Sequence, residues 1–121
     1  MLDHVSLNVA DYGASKRFYE AALAPLGIEL LMEFDAHGGF GRDGKPFFWI
    51  GERPPLGGST HVAFASPDRV TVDAFHAAAL AAGGVDNGPP GLRPQYHADY
   101  YAAFVHDPDG NNVEAVCHRP G

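Results

Sequence analysis

The chain is short of several things, and each shortage narrows what it can be. It has one cysteine, Cys117, in 121 residues. No internal disulfide can form, which fits a reducing, cytoplasmic setting. It has eight Lys and Arg against fifteen Asp and Glu, a net charge of −7. That balance argues against nucleic acid or an anionic membrane as a partner, because both demand a basic surface. No apolar run is long enough for a signal peptide or a membrane span. A glycine-rich phosphate loop and a strand-to-helix nucleophile turn are also missing.

Histidine is in surplus, at seven residues, and two of these histidines belong to an internal repeat. Leu2 to Ile28 aligns without a gap onto Ser59 to Val85. His4 falls on His61, Val5 on Val62, Asp11 on Asp68, Phe18 on Phe75 and Gly27 on Gly84. A repeat near half the chain length predicts two like modules that bury a core together. We place module 1 at 1–52, a linker at 53–58 and module 2 at 59–121. The 45% hydrophobic content suffices for one such core and excludes disorder.

Leu2 to Val9 alternates, with Val5, Leu7 and Val9 on one face, and predicts a half-buried strand. Asp11 is positioned to cap a helix to about Leu23, ended by Pro25 and Gly27. Strands are expected at 28–34, around Phe40 and at 46–50, with turns at Gly38-Gly39 and Asp43-Gly44. The second module repeats the order: a strand at 60–66, then a helix from Ser66-Pro67-Asp68 to about Ala82. Gly88 to Ala98 reads as a loop. Strands follow at 100–106 and 112–118, joined by a turn at Asp107 to Gly110. The fold class is α+β: two tandem β-α-β-β-β modules forming a cupped, eight-stranded mixed sheet with helices outside.

Alternation also sorts the polar residues. If Val5, Leu7 and Val9 face the helix, His4 faces away; the same holds for His61 opposite Val62 and Phe64. In the last strand Val113, Ala115 and Cys117 take the helix side, which sends Glu114 to the other. Two imidazoles and a carboxylate on one helix-free face suit a divalent metal such as Mn, Fe or Zn with open positions, provided that face curls into a trough. Laying Asp43-Gly44-Lys45 on Asp109-Gly110-Asn111 puts Phe48 where module 2 has Glu114, so no fourth ligand is expected. Phe48 and Trp49 can wall a substrate pocket or pack in a core. His97 is a candidate acid or base, and Tyr100 or Tyr101 a holder of a substrate oxygen. Only one of those tyrosines can face the cavity.

The duplication, the stretch HVSLNVADYGASKRFYEAAL and the closing DPDGNNVEAV resemble the vicinal oxygen chelate superfamily of glyoxalases, bleomycin resistance proteins and extradiol dioxygenases. The resemblance spans essentially the whole chain. It implies a metal (Mn, Fe, Zn or Ni) on His4, His61 and Glu114, a small-molecule substrate and a homodimer. It also leaves a choice between an enzyme performing isomerisation, thiol transfer or ring cleavage and a metal-free protein that sequesters a small molecule. Phe48, at the place of the fourth ligand of glyoxalase I, counts against that activity.

Overall fold

The computed structural model describes residues 2–121. Module 1 runs β1 (Val5–Val9), α1 (Tyr12–Leu23), β2 (Glu29–Phe34), β3 (His37–Arg42) and β4 (Lys45–Glu52). Module 2 runs β5 (His61–Ala65), α2 (Arg69–Ala81), β6 (Val85–Leu92), β7 (Tyr101–His106) and β8 (Asn112–Cys117). The eight strands hydrogen-bond as two sheets of four, ordered β1-β4-β3-β2 and β5-β8-β7-β6. In each, the first and last strands of the module pair in parallel and the rest are antiparallel.

The helices start where side-chain chemistry dictates. The Asp11 carboxylate accepts the Ala14 N–H at 3.1 Å, and Asp68 accepts that of Thr71 at 2.7 Å. Each thereby satisfies one amide that the first helical turn leaves without a partner. Gly27, at φ 73°, ends the short 3-10 turn after α1 in the left-handed region.

Both helices lie on the same side of their sheets and touch each other, so the modules share one core. Phe18 and Tyr19 of α1 and Val72 and Phe75 of α2 are fully buried in it. Phe48 meets Phe64 edge-on at 5.2 Å between ring centres, across the junction of the two sheets. Each such ring stabilises the fold by about 1.5–3 kcal/mol through burial alone. A polar tie reinforces the join: the Tyr19 hydroxyl donates to Asp107 at 2.5 Å, linking α1 to the last turn of module 2.

Two local expectations are corrected. The segment around Gly88 is not a loop: Val85–Leu92 forms β6, including Pro89 and Pro90. It is an edge strand with two register shifts against β7, a position where missing amide donors cost nothing. The β2–β3 turn is made by Asp35 and Ala36, at φ 44° and 57°, rather than by Gly38-Gly39. Those glycines lie inside β3, where a Cβ on Gly38 would come 2.6 Å from the Tyr12 hydroxyl and one on Gly39 2.7 Å from the Trp49 ring. Small size is what β3 needs there. Phe48 faces α1 and is fully buried against Tyr19, and it also borders a cavity of about 400 Å³ beside His4 and His61.

Candidate functional site

The helix-free faces of the two sheets carry the candidate chemistry. On the second sheet, parallel pairing sets Ala63 opposite Glu114 and His61 opposite Asn112, and His61, Ala63 and Glu114 point the same way. His61 Nε2 lies 2.7 Å from Glu114 Oε1. The carboxylate is 1% exposed and the imidazole 52% exposed. Burying a carboxylate is costly unless its oxygens are satisfied. The second oxygen is satisfied by Tyr100, whose hydroxyl donates to Oε2 at 2.5 Å. Burial first, and then this bond to Glu114, push the Tyr100 phenol up to about 12. It therefore stays a donor throughout the physiological range.

Tyr100 is itself held by Tyr96, His97 and His118, with ring centres at 4.9, 5.4 and 5.3 Å. The Asp99 N–H donates to His97 Nδ1 at 3.2 Å, so a neutral His97 carries its proton on Nε2. That proton is shared with His118 Nδ1 at 2.9 Å. His118 was not anticipated, although alternation from Glu114 through Val116 puts it on the same face. Tyr101 points the other way: its hydroxyl donates to Asp73 of α2 at 2.6 Å, and the Arg69 guanidinium lies over its ring. The placement of Tyr101 in a substrate pocket is thereby corrected; Tyr100 is the tyrosine on the helix-free face.

The first sheet presents His4, just before β1, with Nδ1 bonded to Asp3 at 2.8 Å. Lys45 takes the other Asp3 oxygen at 2.8 Å. Asp3 is held below the usual carboxylate range by these two bonds, Lys45 first. Trp49 pairs with Ser6, as Glu114 pairs with Ala63. Because Ser6 and Ala63 are repeat equivalents, the counterpart of Glu114 is Trp49, one residue from the expected Phe48. A cavity of about 550 Å³ opens here, walled by Trp49, Phe34 and His37 and edged by His4, Lys45 and Arg53. His4 and His61 both touch a second cavity, of about 400 Å³. Among the described residues, however, no group of three His, Cys, Asp or Glu could hold a metal ion. The fold brings together His61 and Glu114, and His97 with Tyr100, but does not bring His4 to them within one chain.

A family model described as Glyoxalase/Bleomycin resistance protein/Dioxygenase superfamily matches residues 1–115. The chain belongs to the glyoxalase/bleomycin resistance protein/dioxygenase superfamily. Among solved structures of similar fold, a glyoxalase/bleomycin resistance protein from Albidiferax ferrireducens is 33% identical, with a TM-score of 0.85, over 97% of this chain and 98% of that one. A glyoxalase-related enzyme from Fulvimarina pelagi shares 19% identity at a TM-score of 0.75, over 97% of this chain and 87% of that one. A lactoylglutathione lyase from Agrobacterium tumefaciens shares 18% at 0.73, over 97% and 92%. At those identities the last two bear on the fold alone. No curated protein matches. Within the superfamily this chain pairs a buried carboxylate with a half-exposed imidazole in module 2, and has an indole at the carboxylate's equivalent point in module 1. No helix among the described residues is long and apolar enough to cross a membrane.

Proposed function

We propose that this protein is a metal-dependent, cytoplasmic enzyme acting on a small molecule, with His61 and Glu114 of one copy and His4 of a second copy as the metal ligands of a homodimer. The observation that carries the reading is the 2.7 Å contact between His61 Nε2 and Glu114 Oε1, with Tyr100 fixing the other carboxylate oxygen. An imidazole nitrogen and a carboxylate oxygen facing each other are the donor types that Mn, Fe, Zn and Ni accept, and a phenol bonded to the ligand carboxylate is the kind of support such sites use. Two donors from one chain are too few, which is why a second copy is invoked. His4 stands half exposed on the helix-free face of the other sheet, free of any fixed role in the core.

His61, Glu114 and the second copy's His4 would hold the ion, which would supply Lewis acidity toward a substrate, chemistry common to isomerisation, thiol transfer and ring cleavage. The chain's own groups do the rest. Tyr100 keeps Glu114 aligned through the bond to its second oxygen. His97 and His118, sharing one proton beside the Tyr100 ring, are the acid/base pair nearest that site. Trp49 and Phe34 give the substrate an apolar wall.

That wall favours a second reading, sequestration without a metal: the 550 Å³ cavity beside Trp49 falls within the usual size of ligand sites. Elemental analysis of protein purified without chelator separates the two. Near-stoichiometric Mn, Fe, Zn or Ni that disappears in Glu114→Ala and His61→Ala supports the enzyme. A wild-type protein that stays metal-free after reloading supports sequestration.

A further inference from the structure

We infer that the module 1 cavity takes a planar aromatic carboxylate, its ring against Trp49 and Phe34 and its anionic group on Arg53. The inference builds on the proposed small-molecule function and specifies the substrate class.

The charge of the cavity runs against that of the chain. The protein is strongly acidic, yet the cavity lining holds Lys45 and Arg53 with a single carboxylate, Asp3. Asp3 is already committed, one oxygen to His4 and the other to Lys45. The neighbouring Glu52 carboxylate accepts the Tyr12 N–H at 2.9 Å, across the strand end. Among the described residues no carboxylate pairs with Arg53.

What holds Arg53 is neutral. His37 Nδ1 lies 2.7 Å from the Asp35 carbonyl oxygen, which can only accept, so the His37 proton sits on Nδ1. Nε2 is then a lone pair, and it accepts the Arg53 Nη2 proton at 2.9 Å. The guanidinium is positioned without being neutralised, leaving its remaining donors for an anion. The His37 ring has its own seat: it stacks on Phe34 at 5.7 Å, and a Cβ on Gly51 would come 2.4 Å from it. Phe34 in turn meets Trp49 edge-on at 6.1 Å. An aromatic shelf beside a fixed, unneutralised guanidinium selects a flat ring bearing a carboxylate; an aliphatic acid would leave the shelf uncovered, and a neutral arene would leave the charge unmet.

Trp49 is the only tryptophan, so its fluorescence reports on this cavity alone. The test titrates chelator-treated protein with benzoate, neutral benzamide and acetate. Benzoate should quench saturably, benzamide should bind about tenfold or more weakly, as losing a charge-assisted bond implies, and acetate should not quench. Arg53→Gln, checked for unchanged fold by circular dichroism, should abolish the preference for benzoate over benzamide. Equal binding of the two, a preference surviving in Arg53→Gln, or no saturable benzoate binding would overturn the inference. A preference seen only after metal is restored would also overturn it, by moving the carboxylate from Arg53 to the ion. Because metal is removed first, failure of the metal reading leaves this outcome unaffected.

Discussion

Trp49 and Glu114 occupy the same place in the repeat: each sits on the last strand of its module, opposite the residue two after the module's strand histidine. One copy of the ancestral position is thus a buried carboxylate and the other an indole at a cavity wall. On the proposed reading, this puts the ligand carboxylate in the second module and an aromatic wall in the first.

The division predicts separable losses. Glu114→Gln should remove metal binding while leaving quenching of Trp49 by benzoate within about twofold, since the carboxamide keeps the volume but not the charge. Trp49→Phe should do the reverse, retaining metal and weakening benzoate, read by calorimetry. Loss of both properties in either variant would mean the two sites are one.

In the proposed site Tyr100 supports Glu114, to which its hydroxyl donates. Tyr100→Phe should therefore lower metal affinity by roughly 10–100-fold, the usual cost of removing a hydrogen bond to a metal ligand, without emptying the site at saturating metal. Competition against a chelating dye gives the affinity. An unchanged affinity would show that Glu114 needs no such support.

Tyr19→Phe tests the join between modules. The buried phenol donates to Asp107, and loss of a bond to a charged acceptor should cost about 1.5–3 kcal/mol in urea unfolding. A loss under about 0.5 kcal/mol would show that the bond contributes little. Burial, then Asp107, hold the Tyr19 phenol well above its ordinary 10.0. A folded-state value above the unfolded one means the native state retains the proton longer. Its contribution is complete below about pH 10 and declines as pH rises further, so stability should fall on that limb. The decline should be shallower in Tyr19→Phe.

Much of this was legible in the sequence because alternation and capping are local. Asp11 and Asp68 marked both helix starts, and period-2 reasoning put His61 and Glu114 on one face. It lost the phase where loop lengths differ between modules. Two residues, Asp43 and Gly44, separate the paired Arg42 and Lys45, whereas five separate the paired His106 and Asn112. Anchoring one turn on the other therefore slipped Phe48 into the position of Trp49. Strand β6 was hidden by Pro89 and Pro90, which only an edge can accept. The His37–Arg53 and His97–His118 contacts join separate segments, and no spacing rule connects them.

The central claim, a metal site shared between two copies, is tested most directly by complementation. His4→Ala and His61→Ala proteins, each metal-free alone, are unfolded, mixed in equal amounts, refolded and assayed for bound metal. Shared sites predict recovery of about a quarter of the wild-type content, because half the dimers are mixed and each mixed dimer has one intact site. Recovery of none, with wild-type protein refolding to full metal content, would contradict the shared site and return His4 to its own chain.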